Sequence, residues 1–420
     1  MISLNAFLIV FLIIYAGTSL AGLAIERLNA SYCKRYEGEI PAEFQGVIDE
    51  EELKKINQYT LDNTRFSLAH SIFNKAVFLF ILLSGVLPWL AQSLSEIHFI
   101  VAGLVFFALP GLITGLMALP FDYYHSFFIE ERYGFNTKTI RIWLSDLLKS
   151  TILIAILGTI LLSSLLFMIR YTSHTWWIWA WAFFLGFQIL MLVLYPTVIA
   201  PLFNKFTPIE DPHLVSKIED LAKREGLDIK GIYQMDASKR SRHTNAYLAG
   251  LGRAKRIVLF DSLIESHKID EILAVLAHEI GHLKRKHINK QLSLMGIFSV
   301  ILFFLASKLI LWEVIYESFG FSTMPAYAGL FLVGVLWEPV GFLIAPIGLA
   351  ISRKFEKEAD LHSLGILGKP EPFLGAFKKL AKDNLANLRP HPIYVFFNYS
   401  HPTLLNRIKY IQTNSNTREA

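Results

Sequence analysis

Long stretches without charged residues constrain this 420-residue chain more than any other feature. A helix that crosses a bilayer needs about 20 mostly apolar residues, because every backbone polar group in lipid must be satisfied within the segment. The first such window is longer than the apolar part of a signal peptide, and no Lys or Arg precedes it, so we expect a retained helix. Seven windows approach or meet the requirement: 6–25, 76–94, 99–119, 151–169, 175–200, 292–312 and 324–350. The sequence therefore predicts a mainly α-helical, polytopic membrane protein.

Composition agrees with this class. Charged residues make up 18% of the chain, whereas a soluble globular domain carries about 25%. The lone cysteine, Cys33, excludes an intrachain disulfide framework. A net charge of +5 is too small to indicate a nucleic-acid partner, and we predict none. We expect the lipid bilayer to surround much of the chain, and we predict no obligate protein partner.

The Lys and Arg residues predict how the chain is oriented. With seven spans, only Arg170 and Lys308 fall on one side of the membrane, and the other 38 of the 40 fall on the opposite side. Because positive residues are enriched on the cytoplasmic face, we predict that the N-terminus is outside or lumenal. The segments predicted to be cytoplasmic are 26–75, 120–150, 201–291 and 351–420. A bacterial inner membrane and an endoplasmic reticulum membrane fit equally well.

One motif in the longest polar segment has the spacing of a metal site. His278, Glu279 and His282 form H-E-x-x-H within EILAVLAHEIGHLKRKH, which has helical periodicity. Two His four residues apart lie on one helical face and can bind one zinc ion, while the Glu between them can act as a general base. A solvated, charged helix face is the alternative interpretation. The periodicity also predicts that this helix passes almost without a break into the sixth span.

A zinc hydrolase needs a third protein ligand, and SRKFEKEAD at 352–360 offers one. Glu356 and Asp360 are an i, i+4 pair on one helix face, so Glu356 can bind zinc while Asp360 holds a ligating imidazole. A juxtamembrane run of alternating charge is the competing interpretation. The predicted topology favours the metal site, because the chain crosses the membrane an even number of times between His282 and Glu356. Both residues are therefore on the same side of the membrane.

The periodicity changes in residues 229–264. Apolar residues, several of them β-branched, alternate with polar ones or follow one another in IKGIYQMDAS and RAKRIVLFDSLI. Turn glycines lie between these two segments. We predict two or three short strands there.

The combination of motifs resembles a known family, the type I CAAX prenyl proteases, which are integral-membrane zinc metalloproteases. The resemblance covers nearly the whole chain from about Tyr123 onward. The motifs that carry it are IEERYGFNTKT (129–139), SKRSRHTNAYLAG (238–250), KRIVLFDSL (255–263), HEIGH (278–282), SRKFEKEAD (352–360) and DNLANLRPHPIYVFFNYSHPTLLNRI (383–408).

The resemblance implies a fold and a metal centre. The implied fold has seven transmembrane helices around a hydrated chamber, with a cytoplasmic, zincin-like zinc domain that contains a small β-sheet. One Zn²⁺ per chain is implied, with His278, His282 and Glu356 as ligands and Glu279 as general base. Asp360 holds a ligating imidazole through the ring nitrogen that does not bind the metal.

The resemblance also implies residues that act on substrate. His401 and Arg407 correspond to a His and an Arg that stabilise the oxyanion and position the substrate, a role that fits cationic donors. Taken alone, His401-Pro402 is typical of a turn before a short helix. Asn245 and Ala246 match an edge strand on which the substrate backbone is laid, although TNA alone would be an ordinary turn.

We therefore predict four regions. Residues 1–200 hold transmembrane helices 1–5 with two cytoplasmic loops, and 201–291 form the cytoplasmic zinc metalloprotease region. Residues 292–350 hold helices 6 and 7, and 351–420 supply the third zinc ligand and a substrate-binding segment. The implied activity is peptide hydrolysis near the C-terminus of prenylated or membrane-anchored CAAX proteins, with release of the terminal tripeptide. A broad-specificity quality-control protease and a transporter or channel with a structural metal site are the alternatives.

Two polar features have simpler expected roles. Glu338, inside the seventh span, is expensive in lipid and should face the chamber or pair with another group. The basic run Lys284-Arg285-Lys286 and the following His287 are expected to face anionic lipid head groups.

Overall fold

The computed structural model describes residues 2–250 and 255–419. Residues 251–254 lie outside the described residues. They include Gly252 and Arg253, where the second segment predicted to form a strand begins. Among the described residues, seven helices are long and apolar enough to cross a membrane, and each overlaps one predicted window. These helices are Ala6–Arg35, Glu50–Leu83, Phe99–Glu130, Ile140–Tyr171, Ser173–Phe203, His287–Leu309 and Ala326–Leu367.

The described chain is mainly α-helical with one small sheet. In chain order the α-helices are α1 (Ala6–Arg35), α2 (Glu50–Leu83), α3 (Val86–Ser93), α4 (Phe99–Tyr124), α5 (Ile140–Tyr171), α6 (Trp176–Leu194), α7 (Ala200–Phe203), α8 (Pro212–Arg224), α9 (Asp261–Ser266), α10 (Ile269–Lys284), α11 (His287–Leu309), α12 (Glu313–Ser318), α13 (Ala326–Leu367), α14 (Glu371–Asp383), α15 (Pro392–Asn398) and α16 (Leu404–Glu419). The strands are β1 (Phe206–Pro208), β2 (Ile229–Met235), β3 (Ala246–Ala249) and β4 (Lys255–Phe260). Segments of π-helix follow α4 and α6, at His125–Glu130 and Tyr195–Ile199.

Two of the membrane helices are much longer than a bilayer requires. α2 has 34 residues and α13 has 42. At about 1.5 Å per residue they extend roughly 51 and 63 Å, whereas the hydrocarbon core is about 30 Å thick. The predicted window 76–94 therefore marks only the end of α2, and it also contains a break at Gly85, whose φ is 81°. Since α13 continues beyond its apolar part, a membrane helix carries Glu356 and Asp360 into the polar region.

The sheet has the strand order β1-β2-β4-β3. β2 and β4 are parallel, and the two outer strands run antiparallel to their neighbours. Three strands lie in the described part of residues 229–264, in agreement with the predicted two or three. β1 was not predicted, because a three-residue strand that ends in Pro208 has no readable alternation. β3 is an edge strand.

The molecule has a core in the polar region and another among the membrane helices. In the polar region, Ile257 and Leu259 of β4 pack with Ile272 and Leu276 of α10 and with Phe373 of α14. This packing fixes α10 on the sheet. Fully or nearly fully buried members of the membrane core include Leu87, Phe106, Leu166, Tyr316 and Phe319.

Candidate metal centre and its surroundings

α10 holds the H-E-x-x-H motif on a face that its packing leaves available. Ile272, Leu276 and Ile280 recur every four residues and are buried in the core with the sheet. His278 and His282 recur at the same spacing on another face of the helix. The burial of the first face therefore fixes the direction of the two imidazoles.

The side chains of His278, His282 and Glu356 converge on one point. The Nε2 atoms of the two imidazoles are 3.1 Å apart, and each lies 3.2 Å from an oxygen of Glu356. Zinc bound tetrahedrally at about 2.0–2.1 Å holds its ligand atoms roughly 3.3 Å from one another. The spacing of the three side chains is therefore close to that of a zinc site.

The chemistry of Glu356 also fits a cation. The side chain is 4% exposed, and among the described residues its Oε2 accepts no hydrogen bond. A buried carboxylate oxygen without a donor is costly unless a positive charge compensates it. Two imidazoles and a carboxylate are a common ligand set for zinc. The three residues form a candidate metal site.

Asp360 and Arg407 lie behind His278. Oδ1 of Asp360 is 2.8 Å from Nδ1 of His278, and Arg407 donates from Nε and Nη2 to the two oxygens of Asp360 at 2.9 and 2.6 Å. Burial and the charge of Arg407 lower the pKa of His278, but the adjacent carboxylates of Asp360 and Glu356 outweigh both and raise it to about 9. In the metal-free protein, His278 is therefore protonated at neutral pH.

Glu279 is the second residue of the motif and lies beside the candidate metal site. Burial raises the pKa of its carboxyl above the ordinary value, although His278 and His282 act in the opposite direction. A carboxyl group with a raised pKa is suited to accepting and returning a proton near neutral pH.

His401 approaches Glu356 from the segment between α15 and α16. Its Nε2 lies 3.3 Å from Oε1 of Glu356, and Oγ of Ser400 is 2.8 Å from its Nδ1. The His401 side chain is 59% exposed, whereas Arg407 is 10% exposed and has its Nη1 3.9 Å from Oε2 of Glu356. The structure thus brings both residues to the metal centre, His401 on its open side and Arg407 on its buried side.

Asn245 and Ala246 lie where the edge strand begins. The N–H of Phe260 donates to the carbonyl of Asn245 at 3.0 Å, so Asn245 and Tyr247 direct their backbone groups towards β4. Antiparallel pairing alternates, and Ala246 and Leu248 therefore direct theirs towards the open edge. The N–H of Ala246 donates to the side-chain oxygen of Asn245 at 2.8 Å.

A polar network holds the segment that leads into β3. Oδ1 of Asn384 accepts from the N–H of Thr244 at 3.3 Å and lies 2.9 Å from Nδ1 of His243. Nε2 of His243 is 3.4 Å from Glu130, which also accepts a 2.8 Å hydrogen bond from Tyr59. Glu130 ends the π-helical segment after α4, and such segments are frequent at functional sites. Three of the sequence motifs are therefore in contact at the edge strand.

The predicted continuation of α10 into the sixth span is wrong. α10 ends at Lys284, and Lys286 has a φ of 55° before α11 begins at His287. The expectation that His287 faces lipid head groups is also wrong. Its side chain is 1% exposed, and its Nδ1 lies 3.0 Å from Nδ1 of His282. This contact was not predicted, although a further His five residues after His282 was visible in the sequence.

Glu338 pairs with Lys75, and the Oε1 to Nζ distance is 3.6 Å. Both residues line a cavity of about 440 Å³ with Tyr15 of α1 and His70 of α2. The expected pairing of Glu338 is therefore present.

The sequence matches two family models that adjoin one another. A model described as the CAAX prenyl protease N-terminal, five membrane helices, matches residues 29–205. A model described as peptidase family M48 matches residues 208–415, which contain the candidate metal site.

Similar proteins match over most of their length. The chain is 35% identical to CAAX prenyl protease 1 homolog of Arabidopsis thaliana, over 89% of this chain and 90% of the relative. It is 33% identical to CAAX prenyl protease 1 of Saccharomyces cerevisiae, over 94% of each. The crystal structure of S. mikatae Ste24p superposes with a TM-score of 0.88 at 31% identity, over 96% of this chain and 98% of that one. The chain is therefore a multi-pass integral membrane protein that belongs to the CAAX prenyl protease 1 family, the M48 zinc metallopeptidases with an N-terminal membrane domain.

Proposed function

We propose that this protein is a zinc metalloendopeptidase that cleaves near the C-terminus of prenylated CAAX proteins and releases the terminal tripeptide. The observation that carries the proposal is the convergence of His278, His282 and Glu356 beside Glu279, in a chain with seven apolar helices. A catalytic base next to three ligands is the arrangement of a hydrolase, whereas a structural zinc site uses four protein ligands.

The proposed roles follow from what each side chain contacts. When bound, zinc supplies a Lewis acid that polarises a peptide carbonyl and makes water more acidic. Glu279 accepts a proton from the attacking water and delivers it to the amine that leaves. Asp360 holds the ring of His278 so that Nε2 points to the metal, and Arg407 holds Asp360.

His401 is the better placed of the two cationic candidates to donate to the oxyanion. Its ring is on the open side of the centre, within 3.3 Å of Glu356, where a substrate carbonyl would arrive. The Arg407 side chain is only 10% exposed, and its Nε and Nη2 atoms both donate to Asp360. We therefore propose that Arg407 acts on the substrate indirectly, through the charge and position of Asp360.

The substrate would bind as an added strand on β3. The open-edge carbonyl of Ala246 and the open-edge N–H and carbonyl of Leu248 offer main-chain hydrogen bonds that are independent of substrate sequence. A membrane-anchored substrate suits this edge, because the same polar region is connected to the membrane helices through α13. Prenylated or membrane-anchored proteins and peptides are the proposed partners.

We further propose that the metal centre faces the cytoplasm. The loops predicted to share its side of the membrane contain 38 of the 40 Lys and Arg residues. Labelling of an introduced cysteine at an exposed position of α8 in sealed membranes tests this orientation. Labelling from the outside or lumenal side alone would contradict it. An endoplasmic reticulum membrane and a bacterial inner membrane both fit.

The test of substrate class uses one peptide in two forms. Purified protein in lipid is given a farnesylated C-a-a-X peptide and the identical peptide without the isoprenoid, and products are identified by mass spectrometry. The proposal predicts a single cut that releases the tripeptide, with the farnesylated form strongly preferred. Equal cleavage of both forms at several bonds would instead favour a broad-specificity protease. No cleavage of either form by zinc-loaded protein would overturn the substrate assignment.

A further inference from the structure

We propose that His287 and Glu358 form a hydrogen-bonded chain that orients His282 for metal binding, as Asp360 orients His278. The inference rests on the proposed function, because it assumes that zinc binds at His278, His282 and Glu356. It assigns a positioning role to two residues that contact neither substrate nor metal.

The geometry is a chain of three side chains. Nδ1 of His282 lies 3.0 Å from Nδ1 of His287, and Nε2 of His287 lies 3.2 Å from Oε2 of Glu358. Both carboxylates that support the imidazoles come from one helix, since Glu358 and Asp360 are on α13. The two ligating imidazoles therefore differ: His278 contacts a carboxylate directly, and His282 contacts one through a second imidazole.

Donors and acceptors in this chain are consistent with a metal on Nε2 of His282. A neutral imidazole that binds metal through Nε2 must carry its hydrogen on Nδ1. That N–H can donate to Nδ1 of His287 only if His287 carries its own hydrogen on Nε2. The Nε2–H then donates to Glu358, which is an acceptor only. One tautomer of each imidazole therefore satisfies every polar atom between the metal and the carboxylate.

The fold holds His287 at the position that the hydrogen bonds to His282 and Glu358 require. In an uninterrupted helix, a residue five positions after His282 would lie about 140° around the axis. The left-handed conformation of Lys286 breaks the helix and turns the chain, so that His287 returns to His282. The imidazole of His287 also stacks on Phe355 of α13, with ring centroids 4.4 Å apart and planes 11° apart. A backbone conformation that non-glycine residues rarely adopt is thus used to bring one imidazole to another.

The experiment compares zinc dissociation constants and cobalt spectra of matched variants. His287→Phe retains the ring that stacks on Phe355 but removes both nitrogens, and we expect a Kd for zinc about 10- to 100-fold higher. His287→Asn retains an acceptor at the position of Nδ1 and should recover most of that affinity. Lys290→Met is the control, because Lys290 contacts Glu358 at 3.3 Å from the more exposed side and lies outside the path from Glu358 to His282.

Substitution with cobalt adds a readout that does not depend on activity. The visible bands of the cobalt form should shift in His287→Phe and stay unchanged in Lys290→Met. A Kd for zinc in His287→Phe within twofold of wild type would overturn the inference. If that variant does not fold, an unchanged Kd for zinc in Glu358→Ala overturns it instead. Failure of wild type to bind zinc would overturn the proposed function, whereas equal binding by wild type and variants would overturn this inference alone.

Discussion

Gly281 of α10 lies directly against the backbone of Ala359 in α13. A Cβ atom on Gly281 would be 2.9 Å from the carbonyl oxygen of Ala359 and 3.0 Å from its Cα. Ala359 lies between Glu356 and Asp360, so this contact sets how closely α13 brings both carboxylates to His278. The glycine of H-E-I-G-H is thus explained by helix packing.

Gly281→Ala is predicted to separate the two helices and weaken the metal site. Because the clash is with backbone, we expect a loss of about 1–3 kcal/mol in the free energy of unfolding, as in an overpacked core. The zinc Kd should rise as well. Thermal unfolding and chelator competition measure the two effects. Gly348→Ala is the matched control, since a Cβ there meets nothing within 4 Å. A fully stable variant with wild-type zinc affinity would contradict this account.

Asp360→Asn is predicted to raise the zinc Kd about 10- to 100-fold, because the ring of His278 loses a charged acceptor. The variant also leaves Arg407 without its bidentate partner in a buried position. Equilibrium zinc competition is the measurement, with Asp220→Asn as a control on the exposed surface of α8. If Asp360→Asn bound zinc as tightly as the control, Asp360 would have no part in orienting His278.

Zinc affinity is predicted to depend on pH up to about 9. His278 with a pKa of about 9 holds a proton in the metal-free protein, and zinc must displace it. Affinity should therefore keep rising between pH 6.5 and 9, with proton release on binding. The free energy of unfolding of the metal-free protein should fall over the same range of pH. A pKa that is raised in the folded state favours folding at low pH, and this contribution is lost as the pH rises through 9. Calorimetry in buffers of different ionisation enthalpy measures the released protons, and a zinc affinity independent of pH over this range would refute the assignment.

Asn384→Ala is predicted to raise KM more than it lowers kcat. Asn384 bonds to Thr244 and contacts His243, so its loss loosens the segment leading to the edge strand without touching the metal ligands. One or two lost hydrogen bonds of about 0.5–1.5 kcal/mol each correspond to a several-fold rise in KM. Steady-state kinetics on a prenylated peptide provide the test, and Asn414→Ala in α16 serves as the control. An unchanged KM with reduced kcat would place Asn384 in the chemical step instead.

The sequence was most informative where one local pattern decides the structure. The seven apolar windows follow from hydropathy, and the two His four apart and the Glu356–Asp360 pair follow from helical periodicity. The structure has each of them on a helix. The length of α2 and α13 beyond the bilayer was not predicted, because hydropathy marks only the part of a helix that contacts lipid.

Features that depend on contacts distant in sequence could not be predicted. Arg285 and Lys286 are good helix formers, so local propensity favoured a continuous helix where the structure has a break. The contacts of His287 with His282 and Phe355 provide the reason for that break, and they involve two other helices. The position of β3 at the sheet edge depends on strand order, which alternation within one strand does not reveal, so only the family resemblance predicted it.

The most direct test of the account is the rate of peptide cleavage by Glu279→Gln at a zinc content equal to that of wild type. Glu265→Gln, an exposed carboxylate of α9, controls for the loss of one charge. The account predicts that Glu279→Gln binds one zinc per chain but lowers kcat by about 10²–10⁴-fold with little change in KM, because the general base is lost. Cleavage by zinc-loaded Glu279→Gln at more than a tenth of the wild-type rate would contradict the proposed mechanism.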